Sequence, residues 1–107
     1  MTRRTSEARK GRFRLDLHGA YLRRTDLSHA ILERANLAAA DFSNADMRDA
    51  DFKDAILEGT VLKGADLTGA KNLTKEQLRG AILDQTTRLP AEFSVSEFLP
   101  ELAELSS

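Results

Sequence analysis

The hydrophobic positions of this chain repeat every five residues through its central part. A large apolar residue stands at each fifth position, and the position two places before it holds a small or apolar residue, most often alanine. A strict internal period is typical of identical units that stack to bury one continuous core. The large residues are Leu17, Leu22, Leu27, Leu32, Leu37, Phe42, Met47, Phe52, Leu57, Leu62 and Leu67.

This period excludes an amphipathic α-helix. At about 100° per residue, a period of five spreads the leucines around every face of a helix, so no apolar stripe forms. In an extended backbone, residues two apart point the same way, so the small and the large residue share one face. Because five is odd, the chain must bend once in each repeat to keep that face inward.

Four such bends close a square coil of twenty residues, and coils stacked about 4.8 Å apart pair their backbone groups along the axis. We therefore predict an all-β solenoid of about four coils. Phe42 and Phe52 are expected to face each other across one coil, with Leu37 and Met47 on the other two walls. These four residues form the predicted structural core. The hydroxyl of Thr60, which stands at an alanine position, must bond to backbone.

The repeats resemble the pentapeptide repeat family, with its alanine, Asp/Asn, leucine signature. The match runs from residue 15 to residue 70 and is carried by Ala35-Asn36-Leu37, Ala40-Asp41-Phe42, Ala45-Asp46-Met47, Ala50-Asp51-Phe52 and Ala65-Asp66-Leu67. The resemblance implies a right-handed quadrilateral β-helix. We assign residues 13–90 to this β-helix, including an irregular last coil from Asn72 to Pro90.

The charge of the chain is unevenly distributed. The formal net charge is −1 for the whole chain, yet residues 1–14 carry six cationic side chains against one acidic side chain. We interpret residues 1–12 as a flexible basic arm that aids solubility, with contact to nucleic acid or an anionic surface as the alternative. The chain has no cysteine and no apolar run that resembles a signal peptide or a membrane span. A cytoplasmic protein with no membrane partner is expected.

Two capping boxes mark the carboxy-terminal third. Thr74 and Gln77 form the first, before a single helical turn that ends near Gly80. Ser94 and Glu97 form the second, flanked by Phe93 and Phe98 as a hydrophobic staple. Residues 91–107 are predicted as an amphipathic helical tail, kinked or delayed by a proline at position 100. Its apolar face consists of Val95, Phe98, Leu99, Leu102 and Leu105.

An apolar stripe on so short a helix needs a partner surface, because the helix is not stable alone. One interpretation is a lid over the open end of the β-helix, whose strand edges would otherwise pair with other chains. The other is a homodimer. In gyrase-binding members of the family a carboxy-terminal element mediates dimerisation, and this tail is similar in position and apolarity.

The outward residue just before each large core residue is usually Asp or Asn. Asp26, Asp46 and Asp66 stack on one wall and offer clustered oxygens to a cation such as calcium. The preferred interpretation is that each side chain bonds to the nearby backbone of its turn, so no metal is predicted. The exceptions are apolar: Tyr21, Ile31, Ile56 and Val61. We predict that the tail or a partner covers Ile56 and Val61.

Catalytic chemistry has little support. His18 and His29 are the only histidines, and no nucleophile, triad or phosphate-loop spacing accompanies them. No catalytic residue and no cofactor are predicted. We expect a non-enzymatic binding or scaffold module with a protein partner, and no nucleic-acid partner.

Two alternatives stay open. One is a spacer domain attached to a larger assembly. The other follows from the resemblance: gyrase-protecting members imitate duplex DNA and bind a type II topoisomerase. Arg48 and Lys53 interrupt the acidic cluster that such a role requires.

Overall fold

A computed structural model describes residues 15–99 of the chain. Because the backbone turns once in every five residues, the extended pieces between turns are too short for longer strands. Regular pairing in this range therefore consists of isolated parallel β-bridges, most of which join residues twenty apart in sequence. Residues 1–14 and 100–107 lie outside the described range, and with them the basic arm 1–12, Leu102 and Leu105.

The bridges form four ladders, which define four walls of a square solenoid. Wall A contains Asp16, Asn36 and Ile56; wall B contains Tyr21, Asp41, Val61 and Ile82; wall C contains Asp26, Asp46, Asp66 and Arg88; wall D contains Ile31, Asp51 and Lys71. The chain folds as a β-helix, in which backbone hydrogen bonds run along the axis between successive coils. For example, Asp41 N–H donates to Ala20 O at 2.8 Å, and Phe42 N–H donates to Val61 O at 2.9 Å.

Each corner is a tight turn closed by its own hydrogen bond. Ala40 N–H donates to Leu37 O at 3.0 Å, and the residue before Ala40 has a positive φ of 61°. The same left-handed position recurs at each corner and is filled by glycine, as at Gly59, or by other residues, as at Asp49. A type II turn requires positive φ at this position, which glycine adopts at least cost.

The core is a column of inward side chains with no exposed surface at its centre. Phe42, Phe52, Leu37 and Met47 are each 0% exposed. The buried hydroxyl of Thr60 donates to Leu37 O at 2.7 Å, which satisfies its hydrogen bond inside the core. At the amino-terminal end, the first coil is more open, and Leu15 is 41% exposed.

Helix α1, Lys75–Gly80, interrupts the solenoid after wall D. The Thr74 side chain accepts from Gln77 N–H, and the Gln77 side chain accepts from Thr74 N–H, so the predicted capping box is confirmed. Gln77 also donates through Nε2 to Phe52 O and Ala55 O, each at 2.9 Å. Leu78 fills the core from this helix. The helix therefore continues wall A while closing part of its open edge.

The described part of the tail contains a 3-10 turn, Val95–Glu97, where an α-helix was predicted. Ser94 N–H donates to Glu97 Oε2 at 2.8 Å, and the Phe93 and Phe98 rings lie 6.3 Å apart. Both rings pack against the core cluster. The turn is closed by Phe98 N–H, which donates to Val95 O at 2.9 Å. An α-helix beyond residue 99 stays a prediction.

We predict that Phe52→Ala lowers the free energy of unfolding by about 3–5 kcal/mol, because the substitution empties a fully buried ring site. Urea unfolding followed by circular dichroism measures this change. Ile31→Ala is the control, since that side chain is 73% exposed, and a change within about 0.5 kcal/mol is expected. Equal losses for the two variants would contradict the packed core.

Candidate protein-interaction surface

The Asp and Asn side chains of the outer walls are engaged in their own turns. Asp26, Asp41 and Asp66 each accept from the backbone N–H two residues ahead, at 2.9–3.0 Å. Their Oδ1 atoms also accept from the hydroxyl of that residue: Ser28, Ser43 and Thr68. Asn36 makes the same turn bond to Ala38 N–H at 3.1 Å. The preferred interpretation of this position as a turn acceptor is confirmed.

Wall C brings Asp26, Asp46 and Asp66 into one ladder, as predicted. Arg48 lies across it: Nε donates to Asp46 Oδ1 at 2.8 Å and Nη2 donates to Asp46 Oδ2 at 2.7 Å. This bidentate contact with Arg48 lowers the pKa of Asp46 to about 2. Within residues 15–99, no cluster of three or more His, Cys, Asp or Glu residues is arranged to hold a metal ion.

Hydrogen bonds lower the pKa of several other carboxyl groups on the walls. Ser28 does so for the pKa of Asp26, Ser43 for that of Asp41, and Asn72 for that of Asp51.

Asp84 was missed by the sequence analysis. It accepts from Thr86 and, across coils, from Gly64 N–H at 3.3 Å, and its pKa is lowered chiefly by Thr86. Asp84 therefore shapes the last corner of the solenoid.

The apolar exceptions differ in exposure. Tyr21 and Ile31 are each 73% exposed, on walls B and D of the first coil. Ile82 is 42% exposed at the far end of wall B, and sequence reasoning passed over it as part of an irregular coil. Ile56 and Val61 are half-buried on walls A and B. Val61 lies in its ladder between Asp41 and Ile82, which flank it along the axis.

The remaining residues of the predicted interaction surface belong to the tail: Val95, Phe98, Leu99, Leu102 and Leu105. Phe98 packs against the core cluster, and Val95 and Leu99 are half-buried. The described part of the tail therefore packs its ring pair against the core cluster. The expectation that the tail or a partner covers Ile56 and Val61 stays a prediction. Leu102 and Leu105 lie outside the described residues.

Tyr21 belongs to a polar and aromatic group on wall B. Arg23 Nη1 donates to Tyr21 Oη at 3.0 Å, and the guanidinium carbon lies 5.8 Å from the centre of the tyrosine ring. Arg23 Nε also lies 3.7 Å from Asp41 Oδ2. The guanidinium group therefore holds the exposed ring in place beside an acidic neighbour.

The two histidines have surface positions. His29 is on a corner at φ 63°, and its Nε2 lies 3.7 Å from Asp49 Oδ2. His18 donates its backbone N–H to Asp16 Oδ1 at 3.1 Å. In the part of the chain from residue 15 to residue 99, no helix is long and apolar enough to cross a membrane.

The β-helix, its five-residue repeats and the Asx turns at its corners identify this protein as a pentapeptide solenoid. The family model for pentapeptide repeats matches eight copies, over residues 16–54 and 45–85. The chain belongs to the pentapeptide repeat family. This membership implies the right-handed sense of the β-helix.

Solved structures of the family are similar to this chain. Rfr23 from the cyanobacterium Cyanothece 51142 is 33% identical over 69% of this chain and 50% of its own, with a TM-score of 0.61. HetL from Nostoc sp. strain PCC 7120 is described as involved in heterocyst differentiation regulation. It is 37% identical over 65% of this chain and 32% of its own, with a TM-score of 0.54. The pentapeptide repeat protein alr5209 from Nostoc PCC 7120 is 29% identical over 88% of both chains, with a TM-score of 0.55.

The chain thus spans about half of the length of Rfr23 and about a third of that of HetL. A search of curated proteins finds no match.

We predict that the free energy of unfolding falls as the pH is lowered from about 4 to about 2. The carboxyl groups of Asp26, Asp41, Asp46, Asp51 and Asp84 bind protons more weakly in the folded chain than in the unfolded chain. Their contribution is complete above the unfolded pKa of about 4 and is lost as each folded pKa is passed. Urea midpoints measured at pH 5 and pH 2 test this. A midpoint that is unchanged at pH 2 would contradict it.

Proposed function

We propose that this chain is a non-enzymatic scaffold module that binds another protein through its outer walls. The observation that carries the proposal is the exposure of Tyr21 and Ile31, each 73%. Both stand where Asp or Asn elsewhere accepts a turn hydrogen bond from the backbone. An apolar side chain gives up that bond and leaves hydrocarbon in water, and a protein contact offsets both costs.

The rigid core supports this role, because it holds the outer side chains at fixed spacing along each wall. Several outer carboxylates, including those of Asp26, Asp41 and Asp66, accept hydrogen bonds within their own turns. The charged groups of the walls also alternate in sign, as Asp46 and Arg48 do on wall C. A protein surface with mixed charge and exposed apolar residues suits such walls. A cytoplasmic location is part of the proposal.

A homodimer through the carboxy-terminal tail is the finer part of this proposal. Phe93 and Phe98 pack against the core cluster, which supports a tail that carries apolar side chains for burial. Leu102 and Leu105 continue the apolar pattern of the tail. A two-fold contact buries the same stripe on both copies.

A second candidate function is a DNA mimic that binds a type II topoisomerase. The acidic ladder Asp26, Asp46 and Asp66 on wall C favours it. Arg48 neutralises the centre of that ladder and Arg88 ends it, which weakens the electrostatic likeness to a duplex. Inhibition of gyrase supercoiling by the purified chain would favour this function over the scaffold.

We predict that the double variant Tyr21→Asp, Ile31→Asp loses partner binding and keeps its fold. Aspartate restores the turn acceptor that the family uses at this position, so urea stability stays the same or rises. Photo-crosslinking and pull-down from native lysate, followed by mass spectrometry, compare it with the unsubstituted chain.

The matched control for that experiment is Asn36→Asp, which changes the same repeat position without removing an apolar side chain. At least about a tenfold loss of captured partner is expected for the double variant alone. Equal capture by the unsubstituted chain and both variants, or no specific partner, would contradict the proposed surface.

The dimer is tested by light scattering of the purified chain. We predict a mass of twice the 11.8 kDa of one chain, and a monomer for Leu102→Glu, Leu105→Glu, because the charges prevent burial of the stripe. Gln85→Glu adds a charge at an exposed position and serves as the control. A monomeric unsubstituted chain at high micromolar concentration would remove the dimer from the proposal.

A further inference from the structure

The solenoid loses its register at Asn72. The residue twenty places after Phe52 is Asn72, which is exposed and adopts a positive φ of 62°. Its Nδ2 donates to Asp51 Oδ1 at 2.8 Å, so the side chain faces outward. Leu73 takes the core position one residue late and is 8% exposed. One extra residue therefore bulges from the junction of wall D and helix α1.

This bulge borders an open cleft of about 440 Å³, a size within the range of ligand clefts. Ala55 and Leu73 are buried and supply an apolar floor. The rim is polar. The lining residues are Lys53, Asp54, Ala55, Asn72, Leu73, Thr74 and Gln77.

Asp54, which lines the cleft, has a backbone N–H that is not paired with the next coil. At the corners of the preceding turns, the N–H of the left-handed residue donates to a carbonyl of the next coil, as Asp49 N–H does to Thr68 O at 3.0 Å. Asp54 is the next left-handed residue in this series. Among residues 15–99, no backbone carbonyl accepts a hydrogen bond from Asp54 N–H. The pairing resumes one corner later, where Gly59 N–H donates to Gly80 O at 2.7 Å.

Gln77 explains why the bulge leaves this donor open. Its side chain bonds to Phe52 O and Ala55 O, on either side of the corner that holds Asp54. The side chain supplies donors to those carbonyls but no acceptor to the N–H between them. The corner therefore keeps its geometry, but Asp54 N–H is left out of the pairing between coils.

We propose that this cleft binds an extended segment of a partner protein. A main-chain carbonyl of that segment accepts from Asp54 N–H, and an aliphatic side chain lies on Ala55 and Leu73. This continues the pairing used between coils, as when a peptide adds a strand to an open sheet edge. Lys53 and Asp54 offer opposite charges at the rim, which suits a peptide with both donors and acceptors better than a simple ion.

This inference rests on the proposed function as a protein-binding module. It adds a second contact region, distinct from Tyr21 and Ile31, and a mode of binding. Lys53 and Lys63 occupy the same position of their repeats and are both exposed. Lys53→Trp therefore covers the cleft, and Lys63→Trp makes the same change on wall B as a matched control.

The probe is a random heptapeptide phage library selected on the immobilised full chain, with enriched sequences synthesised as free peptides. Nuclear magnetic resonance on the ¹⁵N-labelled chain follows each amide during peptide titration. We expect the Asp54 amide signal to shift and its hydrogen exchange to slow on binding. Lys53→Trp is expected to weaken peptide affinity about tenfold or more, and Lys63→Trp to leave it unchanged.

The exchange measurement uses the unsubstituted chain, so it does not depend on the folding of either variant. The cleft proposal is overturned if no sequence is enriched, if enriched peptides shift other walls but not Asp54, or if both tryptophan variants weaken binding equally. The proposed function is judged apart from this, by capture with the Tyr21 and Ile31 variants. If the cleft proposal fails but the unsubstituted chain still captures a partner protein, the proposed scaffold function stands.

Discussion

The parallel backbone pairing between coils is the constraint on which the rest of this molecule depends. From the second coil onward each bridge residue donates to the coil before it, and in most repeats the following residue donates to the coil after it, as Asp41 and Phe42 do. Because this pairing holds a spacing of twenty residues, inward side chains fall above one another and build a continuous core. The same pairing requires a left-handed residue at each corner. A non-glycine residue such as Ala39 pays about 1–2 kcal/mol for that conformation, and core burial offsets it.

Much of this architecture could be predicted from the five-residue period. Leu37, Phe42, Met47 and Phe52 lie in the core because their spacing leaves an extended, regularly bent backbone as the arrangement that buries all of them. The capping box at Thr74 and Gln77 was predictable because it is local in sequence. The bonds from Gln77 to Phe52 O and Ala55 O were not, since they join residues more than twenty places apart. The bond from Gly64 N–H to Asp84 Oδ1 was not predictable for the same reason.

The candidate surface was predicted less completely. The replacement of Asp or Asn by an apolar residue marked four outward positions, of which Tyr21 and Ile31 are the most exposed. It did not distinguish them from Ile56 and Val61, which are half-buried. Exposure depends on what lies above and below a residue in its ladder, and a sequence window does not contain those neighbours. The tail was predicted as a helix from its periodicity, but in its described part a 3-10 turn brings Phe93 and Phe98 onto the core.

Amide hydrogen exchange, resolved by residue, is the sharpest test of the backbone pairing between coils. In a repeat such as that of Phe42, the N–H groups of Asp41, Phe42 and Asn44 bond to neighbouring coils, whereas Ser43 N–H bonds only to the Asp41 side chain. Pairing between coils predicts strong protection at Asp41, Phe42 and Asn44 and weak protection at Ser43. The same pattern is expected to recur every five residues through the solenoid. Protection that recurs every three to four residues, or is uniform along the chain, would contradict it.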